Sequence, residues 1–135
     1  MEKVFVDTNI VIDLLAKRNP YYKDAQDLFT LSDKGIVQLC ISSLTFANAY
    51  FSIAKHYKTD DAKKIISILK VLVTILPMDD KSIELALASD FIDLEDGIQY
   101  YIAMDNYADV IITRNKKDFK LSTIPVMTAE EYLKK

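Results

Sequence analysis

The chain has 135 residues, of which 50% are hydrophobic and 27% are charged, and its formal net charge is −3. This length suits one domain, residues 1–135, with enough apolar side chains for a sizeable core. The negative net charge argues against a protein that coats nucleic acid by nonspecific attraction. The lone cysteine, Cys40, cannot form an internal disulfide. Because we also find no signal-peptide or membrane-spanning pattern, we expect a cytoplasmic protein.

Strands and helices alternate in the first part of the chain. Residues 3–7 form an apolar run that predicts a buried strand, and the next apolar residues recur at the spacing of a helix over 9–18. A second helix is predicted over 21–34, with Gly35 at the position that follows a helix end. Residues 36–42 then predict a second buried strand. This order is typical of units in which helices connect parallel strands.

The same alternation continues to the end of the chain. Further helices are predicted over 44–57, 60–72, 79–89 and 95–106, and a capping box at Thr128–Glu131 predicts a short C-terminal helix. Further strands are predicted over 73–77, 110–113 and 124–127. Near-continuous apolar strands indicate a sheet that is covered on both faces. We therefore predict an α/β fold, a three-layer α/β/α sandwich around a central, mainly parallel sheet of four or five strands.

Acidic residues stand where ligand sites form in such sheets. Asp7 ends the first predicted strand, and Asp118 follows the strand at 110–113. The start of the helix at 95–106 carries three more acids, Asp93, Glu95 and Asp96. The carboxyl ends of parallel strands meet at one edge of the sheet, and ligands bind outside that edge. Because carboxylate oxygens are ligands for Mg²⁺, the sequence predicts a metal site there.

Each of these acids also has a structural explanation. Aspartate is a favoured N-cap, so Asp7 could cap the helix that follows it. Acids in the first turn of a helix are stabilised by the helix dipole, which could account for Asp93, Glu95 and Asp96. Asp118 could be a solvated loop residue. Their shared topological position favours the metal site over five separate structural roles.

Three motifs in this chain resemble the PIN domain family. The first is Val6-Asp7-Thr8-Asn9, followed by an apolar helix; the second is Asp93-Leu94-Glu95-Asp96-Gly97-Ile98-Gln99; the third runs from Ile111 to Phe119. They occur in the family's order, and the resemblance covers essentially the whole chain. It implies a Mg²⁺- or Mn²⁺-dependent endoribonuclease that cuts single-stranded or looped RNA. Many bacterial members, including the VapC type, are toxins of toxin–antitoxin pairs, so it also implies an antitoxin partner. The apolar helices at 9–15 and 44–54 could extend past the core into a dimer interface, and we expect a homodimer.

The resemblance also implies roles for particular residues. It makes Asp7, Asp96 and Asp118 the metal ligands, with Asp93 as a further contact, and it puts the last acidic position at Asn115 or Asp118. Supporting positions around these ligands fall on Thr8, Asn9, Asn48, Glu95 and Thr113. Contacts to the phosphates of the RNA are expected from Arg18, Arg114, Lys116 and Lys117. We expect Thr8 and Asn9 to orient Asp7 and to cap the first helix.

One position departs from the family pattern. The family usually carries a glutamate on the helix after the second strand, and Asn48 stands at about that position. An amide oxygen can approach a metal but carries no charge, so the substitution predicts weaker cation binding. This leaves an alternative open, a catalytically weak PIN-like module that binds nucleic acid or protein.

A second alternative comes from another class of enzyme. Phosphatases of the haloacid dehalogenase type also begin with a strand that ends in aspartate, but they need a second aspartate two residues later. Asn9 stands there instead, so the general acid of that mechanism is missing.

Overall fold

A computed structural model describes all 135 residues of the chain. The strands are β1 (Glu2–Val6), β2 (Val37–Ser42), β3 (Thr74–Leu76), β4 (Val110–Ile112) and β5 (Val126–Met127). The helices are α1 (Thr8–Leu15), α2 (Tyr22–Asp33), α3 (Ser43–Ala54), α4 (Thr59–Leu72), α5 (Asp80–Leu87), α6 (Leu94–Asp105) and α7 (Ala129–Leu133). A 3-10 turn spans Lys116–Phe119. No helix combines the length and apolar character needed to span a bilayer.

All five strands are parallel and form one sheet in the order β3-β2-β1-β4-β5. Successive side chains of a strand point to opposite faces, and β1 follows this rule with three fully buried residues. Val4 and Val6 face a core that includes residues from α1 to α4 and α7, whereas Phe5 faces a second core with residues from α5, α6 and the 3-10 turn. The predicted three-layer sandwich with a parallel sheet is confirmed.

The strand order places a switch point beside β1. The chain builds β2 and β3 on one side of β1, and then returns to place β4 and β5 on the other side. In open α/β sheets, ligand sites form outside the carboxyl ends of the strands at such a point. The residues directly after β1 and β4 are Asp7 and Thr113, and the Asp7 N–H donates to the Ile112 carbonyl at 2.9 Å. The fold therefore brings the first predicted site residue to this edge.

Several helix ends differ from the prediction. Helix α1 ends at Leu15 instead of residue 18, because Lys17 adopts a left-handed conformation (φ 52°) and the Arg18 N–H donates to the Asp13 carbonyl at 3.1 Å. Helix α3 ends at Ala54, three residues before the predicted end. The 3-10 turn at 116–119 was not predicted, since four residues are too few to show a helical period.

Other local features agree with the sequence. Gly35 has a φ of 72° and donates to the Ser32 carbonyl, while Ile36 donates to the Leu31 carbonyl. These two bonds close α2 in the arrangement that favours glycine after a helix end. The capping box of Thr128 and Glu131 opens α7 as predicted.

Candidate active site

Asp7 is held rigidly at the carboxyl end of β1. Its side chain is only 8% exposed and caps α1. The Thr8 N–H donates to Oδ1 at 2.8 Å, and the Thr113 hydroxyl donates to Oδ2 at 2.9 Å. Asp7 is thus both the helix cap and the innermost acid of the edge, so the structural and functional explanations of this residue are compatible. Thr113 couples β4 to β1 directly at the switch point.

Four more acids surround Asp7, and we call these five residues the acidic cluster: Asp7, Asp93, Glu95, Asp96 and Asp118. Asp93 caps α6 by accepting the Asp96 N–H at 3.0 Å, which places Glu95 and Asp96 in the first turn of that helix. Asp118 is exposed on the 3-10 turn, which begins beyond β4. The fold therefore brings all the predicted acids to one region.

Mutual repulsion is visible in the pKa values of this cluster. Burial, together with the charges of Asp7, Asp93, Asp118 and Glu95, raises the pKa of Asp96 to about 7. Burial also raises the pKa of Asp7, against the hydrogen bonds from Thr113 and Thr8. Glu95 has a raised pKa as well, through burial and then through the charges of Asp93 and Asp7. Like charges held this close favour protons or a bound cation.

The donor chemistry of the cluster fits a magnesium or manganese ion. Its members offer carboxylate oxygens, the ligands that hard cations prefer, and none of the five forms an ion pair with a lysine or arginine. No group of three or more acidic, histidine or cysteine side chains forms a ready-made coordination cage. Mg²⁺ does not require one, since it commonly uses one or two carboxylates, retains waters and takes further oxygens from a substrate phosphate.

Asn48 is tied to the acidic cluster. Its Nδ2 donates to Oε1 of Glu95 at 3.2 Å, a contact between α3 and α6 across 47 positions of the sequence. The bond opposes the rise in the pKa of Glu95. The amide at the place of the family's usual glutamate therefore contacts a carboxylate that comes from another helix.

A polar network that the sequence prediction did not include lies beneath the cluster. Gln99 is fully buried, and its Nε2 donates to the Thr45 hydroxyl at 2.6 Å and to the Thr8 hydroxyl at 3.2 Å. The two threonine hydroxyls bond to each other at 2.7 Å. This network joins α1, α3 and α6, the helices that carry Thr8, Asn48 and the acids of α6. A glutamine on the apolar side of a buried helix was the signal available in the sequence.

Asp13, to which the sequence prediction gave no role, binds both arginines that were predicted to contact phosphates. Arg18 Nε lies 2.9 Å from Asp13 Oδ1, and Arg114 Nε lies 3.2 Å from Oδ2 as an ion pair without hydrogen-bond alignment. The Arg114 guanidinium also stacks on Tyr21 at 4.1 Å. We call Asp13, Arg18 and Arg114 the Asp13 triad. Both arginines thus have a partner within the protein, while their contact with phosphate stays a prediction.

The remaining predicted residues are exposed. Lys116 pairs with Glu131 at 3.0 Å, whereas Lys117 forms no ion pair. The Asn9 side chain is exposed and forms no hydrogen bond, so the cap of α1 comes from Asp7 instead of Asn9. Asn115 is exposed next to Asp118, and its N–H donates to the Thr113 hydroxyl at 3.2 Å.

Comparison with known proteins agrees with this architecture. A family model described as PIN domain matches residues 3–117. Ribonuclease VapC1 of Aquifex aeolicus (strain VF5) is 30% identical, over 97% of this chain and 93% of that protein. A toxin–antitoxin complex from Klebsiella pneumoniae matches with a TM-score of 0.69 and 25% identity, over 93% of this chain and 97% of that one. The structure of VapBC-1 from nontypeable Haemophilus influenzae matches with a TM-score of 0.72 and 19% identity, over 95% and 98%.

These matches confirm the resemblance that rested on three motifs. The family model covers most of the chain and includes two of the motifs completely. The relative from Aquifex aeolicus extends the match over nearly the whole length. The chain therefore belongs to the PIN domain family.

Proposed function

We propose that this protein is a Mg²⁺- or Mn²⁺-dependent endoribonuclease that hydrolyses phosphodiester bonds of RNA at the acidic cluster. The observation that carries the proposal is the gathering of five carboxylates, free of ion pairs, at the switch point of the sheet. The naming of a 30% identical relative as a ribonuclease supports the same activity. We further propose that it works in the cytoplasm, as expected from its sequence.

Asp7, Asp96 and Asp118 would hold the cation, with Asp93 contributing through water. A cation at such a site lowers the pKa of bound water and offsets charge on a phosphoryl group. The protein's own part is orientation: Thr8 and Thr113 occupy one lone pair on each oxygen of Asp7 and fix the direction of the others. Fixed ligands of this kind reduce the reorganisation needed when substrate binds.

We propose that Glu95 supplies the carboxylate that α3 lacks. Asn48 donates to Glu95 at the position where the family pattern has a glutamate, and the charge of Asp7 raises the pKa of Glu95. The contact that the family pattern gives to a glutamate of α3 then takes its negative charge from Glu95 of α6. This would compensate the deficit that the sequence alone predicted from Asn48.

We also propose an antitoxin protein and a second copy of this chain as partners. The support is that solved structures with the same fold include toxin–antitoxin complexes, one of them at 25% identity. A toxin that cuts RNA needs an inhibitor in the same cell. The alternative, a weakly catalytic PIN-like binding module, rests on the uncharged amide of Asn48 at the place of the family's usual glutamate.

Cleavage of single-stranded RNA in Mg²⁺ or Mn²⁺ tests the proposed activity. Removal of a residue that hydrogen-bonds to a metal ligand lowers activity by up to about 100-fold. Asp7→Asn and Asp96→Asn remove a proposed ligand itself, so each should lower the cleavage rate by at least about 100-fold. Asp61→Asn, at an exposed acid in the first turn of α4, is the matched control and should cleave like the wild type.

Calorimetric titration with Mn²⁺ separates the two candidate functions. Weak Mn²⁺ binding and no cleavage by the wild type would favour the binding module over the ribonuclease, whereas tight Mn²⁺ binding would count against the binding module. Equal cleavage by the wild type, Asp7→Asn and Asp96→Asn would reject the acidic cluster as the active site.

A further inference from the structure

A cavity of about 350 Å³ opens beside two acids of the cluster, Asp96 and Asp118. It lies between the segment that precedes α6 and the 3-10 turn that follows β4. Its lining combines four acids with two lysines and three apolar residues, namely Asp90, Phe91, Ile92, Asp93, Asp96, Lys117, Asp118, Lys120 and Leu121. The volume is within the range of about 300–1,000 Å³ that is usual for small-ligand sites.

The two walls of the cavity are tied together by aromatic packing. The centroid of the Phe91 ring lies 5.2 Å from the ring centroid of Tyr100 and 6.4 Å from that of Phe119. Phe119 is buried in the core beneath the 3-10 turn, so it anchors the wall that carries Asp118. The cavity is thus part of the folded framework and not a gap between loose loops.

Two of its three apolar side chains, Ile92 and Leu121, are exposed and belong to neither core. Ile92 is 95% exposed and Leu121 is 45% exposed, and both lie next to charged residues. Lys117 and Lys120 also line the cavity, and neither forms an ion pair although four acids share the lining. Exposed apolar side chains and two lysines without ion pairs therefore lie together beside the acidic cluster.

On the basis of the proposed ribonuclease function, we infer that this cavity binds the base of a nucleotide next to the scissile phosphate. A base has apolar faces that can lie on Ile92 and Leu121, while the phosphates that flank it can reach Lys117 and Lys120. Bases can enter such a site from single-stranded or looped RNA, where they are free of the helical stack. The substrate class is therefore an RNA segment with an unstacked base at the cleaved bond.

Binding of a fluorescent single-stranded oligoribonucleotide, measured by anisotropy in Ca²⁺, tests the cavity without requiring cleavage. The double variant Ile92→Ser/Leu121→Ser removes the apolar wall and leaves every charge in place. We expect it to bind roughly five- to tenfold more weakly than the wild type, in line with the loss of contacts to one base. The matched control is Val71→Ser, since Val71 is 85% exposed on α4 outside the cavity; it should bind like the wild type.

A second measurement locates the base. Once the bond that the wild type cleaves in Mn²⁺ is known, the bases on its two sides are removed one at a time. Removal of one of them should lower kcat/KM of the wild type about tenfold and should have little further effect on the double variant.

The possible results test the base site and the ribonuclease activity separately. Equal binding by the wild type and the double variant, or no binding by either, would overturn the base site. Binding that depends on Ile92 and Leu121, without cleavage in Mg²⁺ or Mn²⁺, would support the base site and reject the ribonuclease. Equal losses in both proteins on removal of each base would show that the base binds elsewhere.

Discussion

Asp7 and Asp13 belong to the same strand–helix unit, and both carboxylates are buried, yet their surroundings differ in charge. Asp13 lies between the guanidinium groups of Arg18 and Arg114. Asp7 accepts hydrogen bonds from Thr8 and Thr113 but forms no ion pair, and it contributes to the raised pKa of Asp96. One buried carboxylate is paired with two arginines, whereas the other has no ion pair and feels the charge of Arg114 only from a distance.

The comparison distinguishes an acid that is paired within the protein from one that is proposed to bind a cation. Burial of a charge is costly unless a partner compensates it, so the Asp13 triad is complete without a ligand. The acidic cluster retains several negative charges in a small region, and the protein provides no cation that pairs with them. Asp7 and Asp13 are both buried, so burial alone does not show which of them has a ligand-binding role. The charges of the neighbouring side chains distinguish the two.

The largest effect on stability is expected at the Asp13 triad. Asp13→Asn should lower the free energy of unfolding by about 3 kcal/mol, because it leaves two guanidinium groups without their counter-charge; partial exposure of the arginines keeps the loss at the low end for buried pairs. Asp7→Asn should cause no comparable loss, since it removes a charge from a repulsive cluster. Urea unfolding of the two variants measures the difference. Equal destabilisation would contradict the contrast between these aspartates.

The next effect concerns Glu95, the carboxylate that Asn48 contacts. Glu95→Gln should weaken Mn²⁺ binding about tenfold in calorimetry, as expected for loss of one charge near the ion. Adding Asn48→Glu to that variant returns a carboxylate to the same contact from α3 and should recover most of the affinity. Unchanged Mn²⁺ affinity in Glu95→Gln would show that Glu95 does not compensate for Asn48.

A smaller effect is expected from pH on the metal-free protein. The pKa of Asp96 is raised from 3.8 to about 7 in the folded state. Between these values the folded protein binds more protons than the unfolded chain, so stability falls as pH rises. In a chelating buffer, Tm should therefore be higher at pH 5.5 than at pH 8, and Asp96→Asn should reduce that difference. A Tm that rises over this interval and is insensitive to Asp96→Asn would contradict the repulsion described for the cluster.

The smallest effect distinguishes the cavity lysines, which form no ion pair, from the arginines that pair with Asp13. Lys117→Ala and Lys120→Ala should each reduce the salt dependence of RNA binding by about one unit of slope, as expected for one lost phosphate contact. Arg18→Ala should leave the slope unchanged and act on stability instead, because Arg18 is engaged with Asp13. Anisotropy titrations at several salt concentrations measure these slopes. A reduced slope for Arg18→Ala would support the sequence-based prediction that this residue contacts phosphate.

Much of the fold could be predicted from local patterns. The apolar runs gave strand positions close to the observed ones, and Gly35 and the capping box at Thr128 were assigned correctly. Helix ends were less accurate at α1, since the turn at Lys17 depends on backbone bonds to Asp13 and Leu14. The 3-10 turn was missed because its four residues are too few to show a helical period, and because the core that buries Phe119 is formed by distant parts of the chain.

The sequence by itself determined the elements, the parallel sheet and the acids at the strand ends, because these follow from periodicity and from residue chemistry at neighbouring positions. Only the tertiary structure decided which charges meet. Asp7 contacts Thr113 across 106 positions and Asn48 contacts Glu95 across 47, and such pairs depend on the strand order and helix packing. The same packing brings Arg114 to Asp13, which Arg18 contacts from five positions away, and it leaves the acidic cluster without an ion-pair partner, a distinction that local spacing cannot encode.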